Sequence, residues 1–136
     1  MPTKPEVIDS LNWVTERVSN RVWTISLGVL AASLAYIVES TKPEGAAFLL
    51  PRQVVGPATL ALLALIFDLI QYAAAHRQNF ELLQKIEKED LSAASYQTDD
   101  PMMKLRTYAH RLKFWFCIAA ALWLVFVSSQ RAIELI

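Results

Sequence analysis

The sequence predicts an all-α integral membrane protein with three transmembrane helices, the second and third extended into a cytoplasmic hairpin beside an amphipathic N-terminal helix. Three observations carry this reading. Hydrophobic residues make up 54% of the 136-residue chain and charged residues 19%. The charges are segregated: none lies between Val22 and Val38, none between Phe114 and Gln130, and only Asp68 between Gln53 and Ala75. The resulting runs of 17, 17 and 23 residues match the roughly 17–25 residues that cross a hydrocarbon core of about 30 Å. The alternative, a soluble three-helix bundle, requires a polar face on each helix. Val22 to Leu34 offers only small hydroxyls, which can bond back to their own helix, and Phe114 to Val127 has no wet face.

Residues 1–21 read as a cytoplasmic amphipathic helix. Thr3 and Glu6 have capping-box spacing, Pro5 suits a first turn, and Val7, Leu11, Val14 and Val18 recur at helical steps. No breaker separates this stripe from the first span, 22–39, so one helix from about Glu6 to Glu39 is expected. The outer loop, 40–52, carries turn chemistry at Lys42-Pro43-Glu44-Gly45 and Pro51, with Phe48, Leu49 and Leu50 expected at the membrane interface. The second span, 53–75, continues as a helix whose Phe80, Leu83 and Ile86 keep an apolar face. A loop over Ser92 to Thr98 divides the cytoplasmic hairpin, 76–113. Asp100-Pro101 then forms an N-cap with a first-position proline, and Met102, Leu105, Ala109, Leu112 and Phe116 step into the third span, 114–130. Residues 131–136 form an outer tail. Because two spans are short, Arg21, Lys113 and Arg131 are expected to snorkel toward headgroups, with Trp23, Tyr36, Trp115 and Trp123 as interface anchors.

Charge sets the threading. With three spans, ten of the 13 Lys and Arg residues fall on the side of the N-terminus and the long loop, and three on the other. The positive-inside rule then places the N-terminus in the cytoplasm and the C-terminus outside. The acidic, proline-containing start lacks a basic region followed by a short apolar one, so no cleavable signal peptide is expected. This layout suggests a bacterial inner membrane.

Composition excludes several classes. Cys117 is the sole cysteine, so there is no disulfide scaffold and no cysteine-based zinc site, and it sits in a span, where it behaves as a small apolar residue. Two histidines without a third ligand do not make a metal site. Zero net charge removes a global case for nucleic-acid binding. No phosphate-binding loop or cofactor motif occurs, and no cofactor is expected.

Asp68 is the residue most out of place. An intramembrane carboxylate costs about 2.5–3.5 kcal/mol on insertion scales and needs a partner, a proton or water. Gln71 and Tyr72, three and four residues on, share its helix face and supply candidate hydrogen bonds or a polar track toward the cytoplasm. Asp68, Gln71 and Tyr72 are therefore candidates to line a water-filled path or proton-sensitive gate between subunits, or to act as interhelical glue. Gly28, Ala32 and Ala35 provide a small-residue face for close helix approach. His76, Arg77, Arg106, His110 and Arg111 form a juxtamembrane basic cluster suited to phospholipid headgroups. Met102 and Met103 suit packing or a docking surface, and Glu87 to Asp90 and Asp99-Asp100 read as solvated helix ends.

Arg106 and His110, on one helical face, resemble the arginine–histidine pair of HEPN ribonucleases, in which that pair cleaves RNA in a dimer. Here three residues intervene, fewer than in that pattern, and the resemblance covers five residues. It implies a membrane-tethered RNase as the remote enzyme reading. The reading preferred here is a self-associating membrane protein that forms an oligomeric pore or perturbs the membrane on a cytoplasmic signal. Its main rival is an accessory or assembly subunit of a larger membrane complex, without activity of its own. Expected partners are membrane lipid, further copies of the chain, and in the rival case a larger membrane protein.

Overall fold

The computed structural model describes residues 1, 3–42, 49–89 and 100–136. Among these it contains three α-helices and no strand: α1 (Lys4–Ser40), α2 (Pro51–Glu89) and α3 (Pro101–Glu134). Phe48, most of the Lys42–Gly45 turn and the loop expected over Ser92–Thr98 lie outside the described residues. All three helices are long and apolar enough to cross a membrane. At about 1.5 Å per residue each is roughly 50–60 Å long, well beyond a hydrocarbon core of about 30 Å.

The helix ends follow local chemistry. At the start of α1 the Thr3 backbone N–H donates to Glu6 Oε2 at 2.6 Å, and the Thr3 hydroxyl donates to the same oxygen at 2.9 Å. Asp100 Oδ1 accepts the Met102 N–H at 2.9 Å, with Pro101 following in the first turn of α3. At the far end of α1 the Ser40 and Thr41 hydroxyls donate to the carbonyls of Ile37 and Val38, and Val38 O also accepts the Thr41 N–H, so the last turn closes on its own donors.

α2 runs antiparallel to both of its neighbours, and the interior is built in layers. Val22, Ala64 and Cys117 form one, packed by Val18 and Phe116. Val29, Ala61 and Ala120 form the next. Leu49, Val54 and Val127 close the end, against Tyr36 and Ile37. The inward residues of α1 are Ser19, Val22, Ser26, Val29 and Ser33, and those of α2 include Val54, Pro57, Ala61, Ala64 and Asp68. Both series alternate steps of three and four, a 3.5-residue period that keeps one seam on a neighbour. Phe67 and Phe116 stack at 5.5 Å between centroids and join α2 to α3 beside this core.

The interior is small and partly polar, whereas large apolar side chains face outward. Leu27, Leu34, Leu62, Leu69, Trp115, Leu122, Val125 and Phe126 are 49–65% exposed. In water this arrangement would leave an apolar surface far beyond what a soluble monomer carries. In lipid it costs nothing, and small inward residues let the backbones approach. The pattern is compatible with an integral membrane protein.

Several expectations made from apolar spacing are corrected by this inversion. Leu105 and Leu112 point outward, while Ala109 and Lys113 occupy the seam. Phe80 and Leu83 are also exposed, and Val7, Leu11 and Val14 on α1 are left uncovered by α2 and α3. Lys113 does not snorkel, being fully buried. Leu49 is buried inside the bundle end, not at an interface. The hydroxyls of Thr15, Thr24, Thr59 and Thr107 do bond back to carbonyls four residues earlier. Those of Ser26 and Ser33 do not: both are buried without a hydrogen-bond partner.

Trp123 lies against α2, where a Cβ on Gly56 would stand 2.7 Å from the indole ring. Gly56 therefore permits this approach. Gly56→Ala is expected to lower stability by about 1–3 kcal/mol through overpacking, measured by thermal unfolding in detergent. Adding Trp123→Leu should recover most of the loss, and an undiminished wild-type midpoint in Gly56→Ala would show that the contact does not constrain the fold.

Candidate functional site

The polar layer of the bundle lies one to two turns beyond the Val22–Ala64–Cys117 layer, and each helix contributes to it. The Lys113 ammonium on α3 sits 2.5 Å from Asp68 Oδ1 on α2. The Ser19 hydroxyl on α1 donates to the same oxygen at 2.5 Å and accepts from Lys113 Nζ at 3.0 Å. The Trp23 indole N–H, one turn along α1, donates to Asp68 Oδ2. Both charged side chains are 0% exposed. The carboxylate thus receives three donors, which is what keeps a charge tolerable away from water.

The seams bring these residues together. Ser19 continues the heptad positions of Ser26 and Ser33, Asp68 those of Ala61 and Ala64, and Lys113 precedes Cys117 by one turn on the buried face of α3. The antiparallel run of α2 then sets all three at one height. A second polar contact ties α2 to α3 nearer the ends of both helices. Arg106 donates to Gln78 Oε1 at 2.8 Å, and Gln78 Nε2 donates to Asp100 Oδ2 at 3.3 Å.

A crevice of about 350 Å³ opens between α1 and α2. Asn12, Glu16, Gln71, Tyr72 and Arg106 line it, and Ser19 forms part of its wall. Ser19 therefore touches both the crevice and the ion pair. Gln71 Oε1, within this region, is buried without a partner. On the opposite side of the pair, Ser26 and Ser33 continue along the α1 seam with unpartnered hydroxyls. The crevice meets the ion pair at Ser19, and Ser26 and Ser33 follow at heptad spacing, divided from it and from each other by the Val22–Ala64–Cys117 and Val29–Ala61–Ala120 layers.

Of the candidates named from sequence, Asp68 is at the centre, enclosed by the chain's own helices. Gln71 and Tyr72 do not bond to it but stand in the crevice wall. The basic residues are divided. Arg106 turns toward the crevice and His110 is half-buried with Nδ1 unpartnered, whereas His76, Arg77 and Arg111 are exposed, with Arg77 paired to Glu81 at 3.0 Å. On α1, Gly28 and Ala35 are exposed and Ala32 half-buried, on a face that neither α2 nor α3 occupies. Sequence reasoning missed Lys113, Ser19, Trp23 and Gln78. The seven-residue recurrence of Ser19, Ser26 and Ser33 was the available signal for the first of these donors. Trp23 was expected as an interface anchor, and its ring nitrogen is instead turned inward to Asp68.

Among the described residues no group of three or more His, Cys, Asp or Glu is placed to hold a metal ion. The chain matches no model of a protein family, no curated protein and no solved structure.

The pair makes a stability prediction with a definite sign. Lys113→Met strands the Asp68 carboxylate and is expected to cost about 3–5 kcal/mol, whereas Asp68→Leu combined with Lys113→Met is expected near or above wild-type stability. Unfolding in detergent micelles reads both. Additive losses in the double variant would mean that the two residues do not act as a pair.

Proposed function

We propose that the protein is a small self-associating integral membrane protein that opens a passage through the membrane, each protomer being a closed three-helix unit locked by the Asp68–Lys113 pair. The observation that carries this reading is a crevice that reaches, at Ser19, a fully buried ion pair, with two unpartnered serine hydroxyls at heptad spacing further along the α1 seam. Separating Asp68 from Lys113 leaves two charges that need water. The crevice supplies it from one end, and Ser26 and Ser33 offer the next polar groups along the seam.

The charge distribution supports placing the crevice end in the cytoplasm, where a signal would act. Ten of the 13 Lys and Arg residues lie on that side, and burial of Lys113 leaves nine against three. The helices continue past the apolar spans on this side as the proposed cytoplasmic hairpin. Self-association is supported by the outward Gly28–Ala32–Ala35 face and by Val7, Leu11 and Val14, which stay uncovered beyond the first span. The same uncovered residues would serve an accessory subunit docking on a larger membrane complex, and that is the second reading.

Reconstitution in liposomes separates the two. Asp68→Asn keeps the size of the side chain but removes the counter-charge of Lys113 and turns one of the two acceptor oxygens into an amide donor. It is expected to raise the leak of protons or small ions at least about tenfold over wild type, with helical content and oligomer size unchanged. The exchange Asp68→Lys with Lys113→Asp should return the leak toward the wild-type level. Tight vesicles for every variant, together with a monomer by particle mass in nanodiscs, would reject the passage in favour of the accessory role.

A further inference from the structure

A second cavity, of about 290 Å³, lies between α1 and α3, away from the crevice. Its walls, formed by Ile25, Phe114, Cys117 and Ile118 and by the stems of Arg17 and Arg21, are almost wholly apolar. These arginines are four residues apart on one helical face, an arrangement in which like charges repel. Among the described residues neither is paired with a carboxylate. The Arg17 guanidinium carbon lies 4.7 Å from the centroid of the Trp13 ring, a cation–π contact.

The depth of the groove identifies its occupant. Arg21 is the last charge before the apolar run that begins at Val22, and Phe114 opens the third run. The two guanidiniums thus mark the level at which the chain passes from polar surroundings to hydrocarbon, and the apolar walls extend inward from it. We propose that this groove binds an anionic phospholipid, its phosphate bridged by Arg17 and Arg21 and the upper part of one acyl chain lying against Ile25, Phe114 and Ile118. Guanidinium groups hold phosphate oxygens through paired N–H donors, and a bound anion relieves the repulsion between the two cations. Free phosphate would meet only the arginines and leave the apolar walls empty. Basic pockets between helices at the cytoplasmic membrane surface are suited to anionic headgroups. The inference rests on the membrane reading above but not on any passage.

The test uses the full chain in phosphatidylcholine vesicles containing, as a minor component, either phosphatidylglycerol or phosphatidylcholine with a photoreactive group on the acyl chain. After irradiation, adducts are mapped by mass spectrometry. The phosphatidylglycerol probe is expected to label the peptides holding Ile25, Phe114 and Ile118 at least about tenfold more than its zwitterionic counterpart. Arg17→Gln with Arg21→Gln should abolish that preference, and Ile118→Trp, which fills the groove, should remove the adducts while both arginines remain. Equal labelling by the two lipids, labelling that survives the arginine changes, or groove adducts that survive Ile118→Trp would each overturn the proposal. Flotation of the protein with the vesicles and its helical content separate these outcomes from failure of the membrane reading itself: a chain that does not float has lost the membrane reading, and one that floats but fails the labelling pattern has lost only the lipid site.

Discussion

One ion pair fixes the register of the whole bundle. Ala61, Ala64, Ala120, Val22 and Val29 form layers of similar size and shape, and slippage by a helical turn would replace one such layer with another at little cost. The Asp68 layer has no substitute. Moving α3 by one turn relative to α2 separates Lys113 from Asp68, and moving α1 removes Ser19 and Trp23 together. Each displacement leaves a charge or a donor in apolar surroundings, the penalty that makes a buried polar group an effective register key. The Gln78–Arg106–Asp100 contact repeats the logic for α2 and α3 nearer the helix ends.

The same constraint explains the composition of the interior. Where lipid surrounds a bundle, burying leucine gains little, because the outside is as apolar as the inside. Close approach of backbones and satisfaction of polar groups then decide which faces meet. The seam of α1 accordingly alternates serine and valine, the seam of α2 is rich in alanine, and bulky Leu62, Leu69, Leu122 and Phe126 are turned away. Gly56 is part of this economy of space, since it lets the Trp123 ring lie on α2.

This inversion also marks the limit of what the sequence discloses. Helix extents and ends were legible, because caps such as Thr3–Glu6 and Asp100–Pro101 act locally and charge-free runs need no partner to be recognised. Helix faces were not. Met102, Leu105, Ala109, Leu112 and Phe116 have the period of a water-facing amphipathic helix, but near a bilayer the apolar stripe and the buried stripe need not coincide, and the true seam includes Lys113. Asp68 was conspicuous because nothing around it in sequence is charged. Its partner was hidden by position: Lys113 borders its apolar run, where a lysine is normally free to reach headgroups, and only the rotation of α3 turns it inward. Gln71 and Tyr72 were close in sequence and therefore attractive as partners, whereas the donors that reach Asp68 come from other helices, 45 and 49 residues away.

In the proposed passage, a lock of this kind would act as a switch, not as a graded valve. Water reaching Ser19 from the crevice gains little while Asp68 keeps Lys113 and Trp23, because a single water would displace charge-assisted bonds and offer only dipoles in return. Once the pair separates, both charges and the idle hydroxyls of Ser26 and Ser33 require solvent together, and partial hydration leaves some of them unsatisfied. Intermediate states are therefore penalised from both sides. In the proposed passage the closed bundle and a hydrated one would be the two arrangements in which Asp68 and Lys113 have their strongest partners, with Ser26 and Ser33 dry in the closed form. In that scheme those serines would lower the cost of opening without contributing to closure, and the free-energy difference between the states would be set mainly by the strength of the Asp68–Lys113 contact.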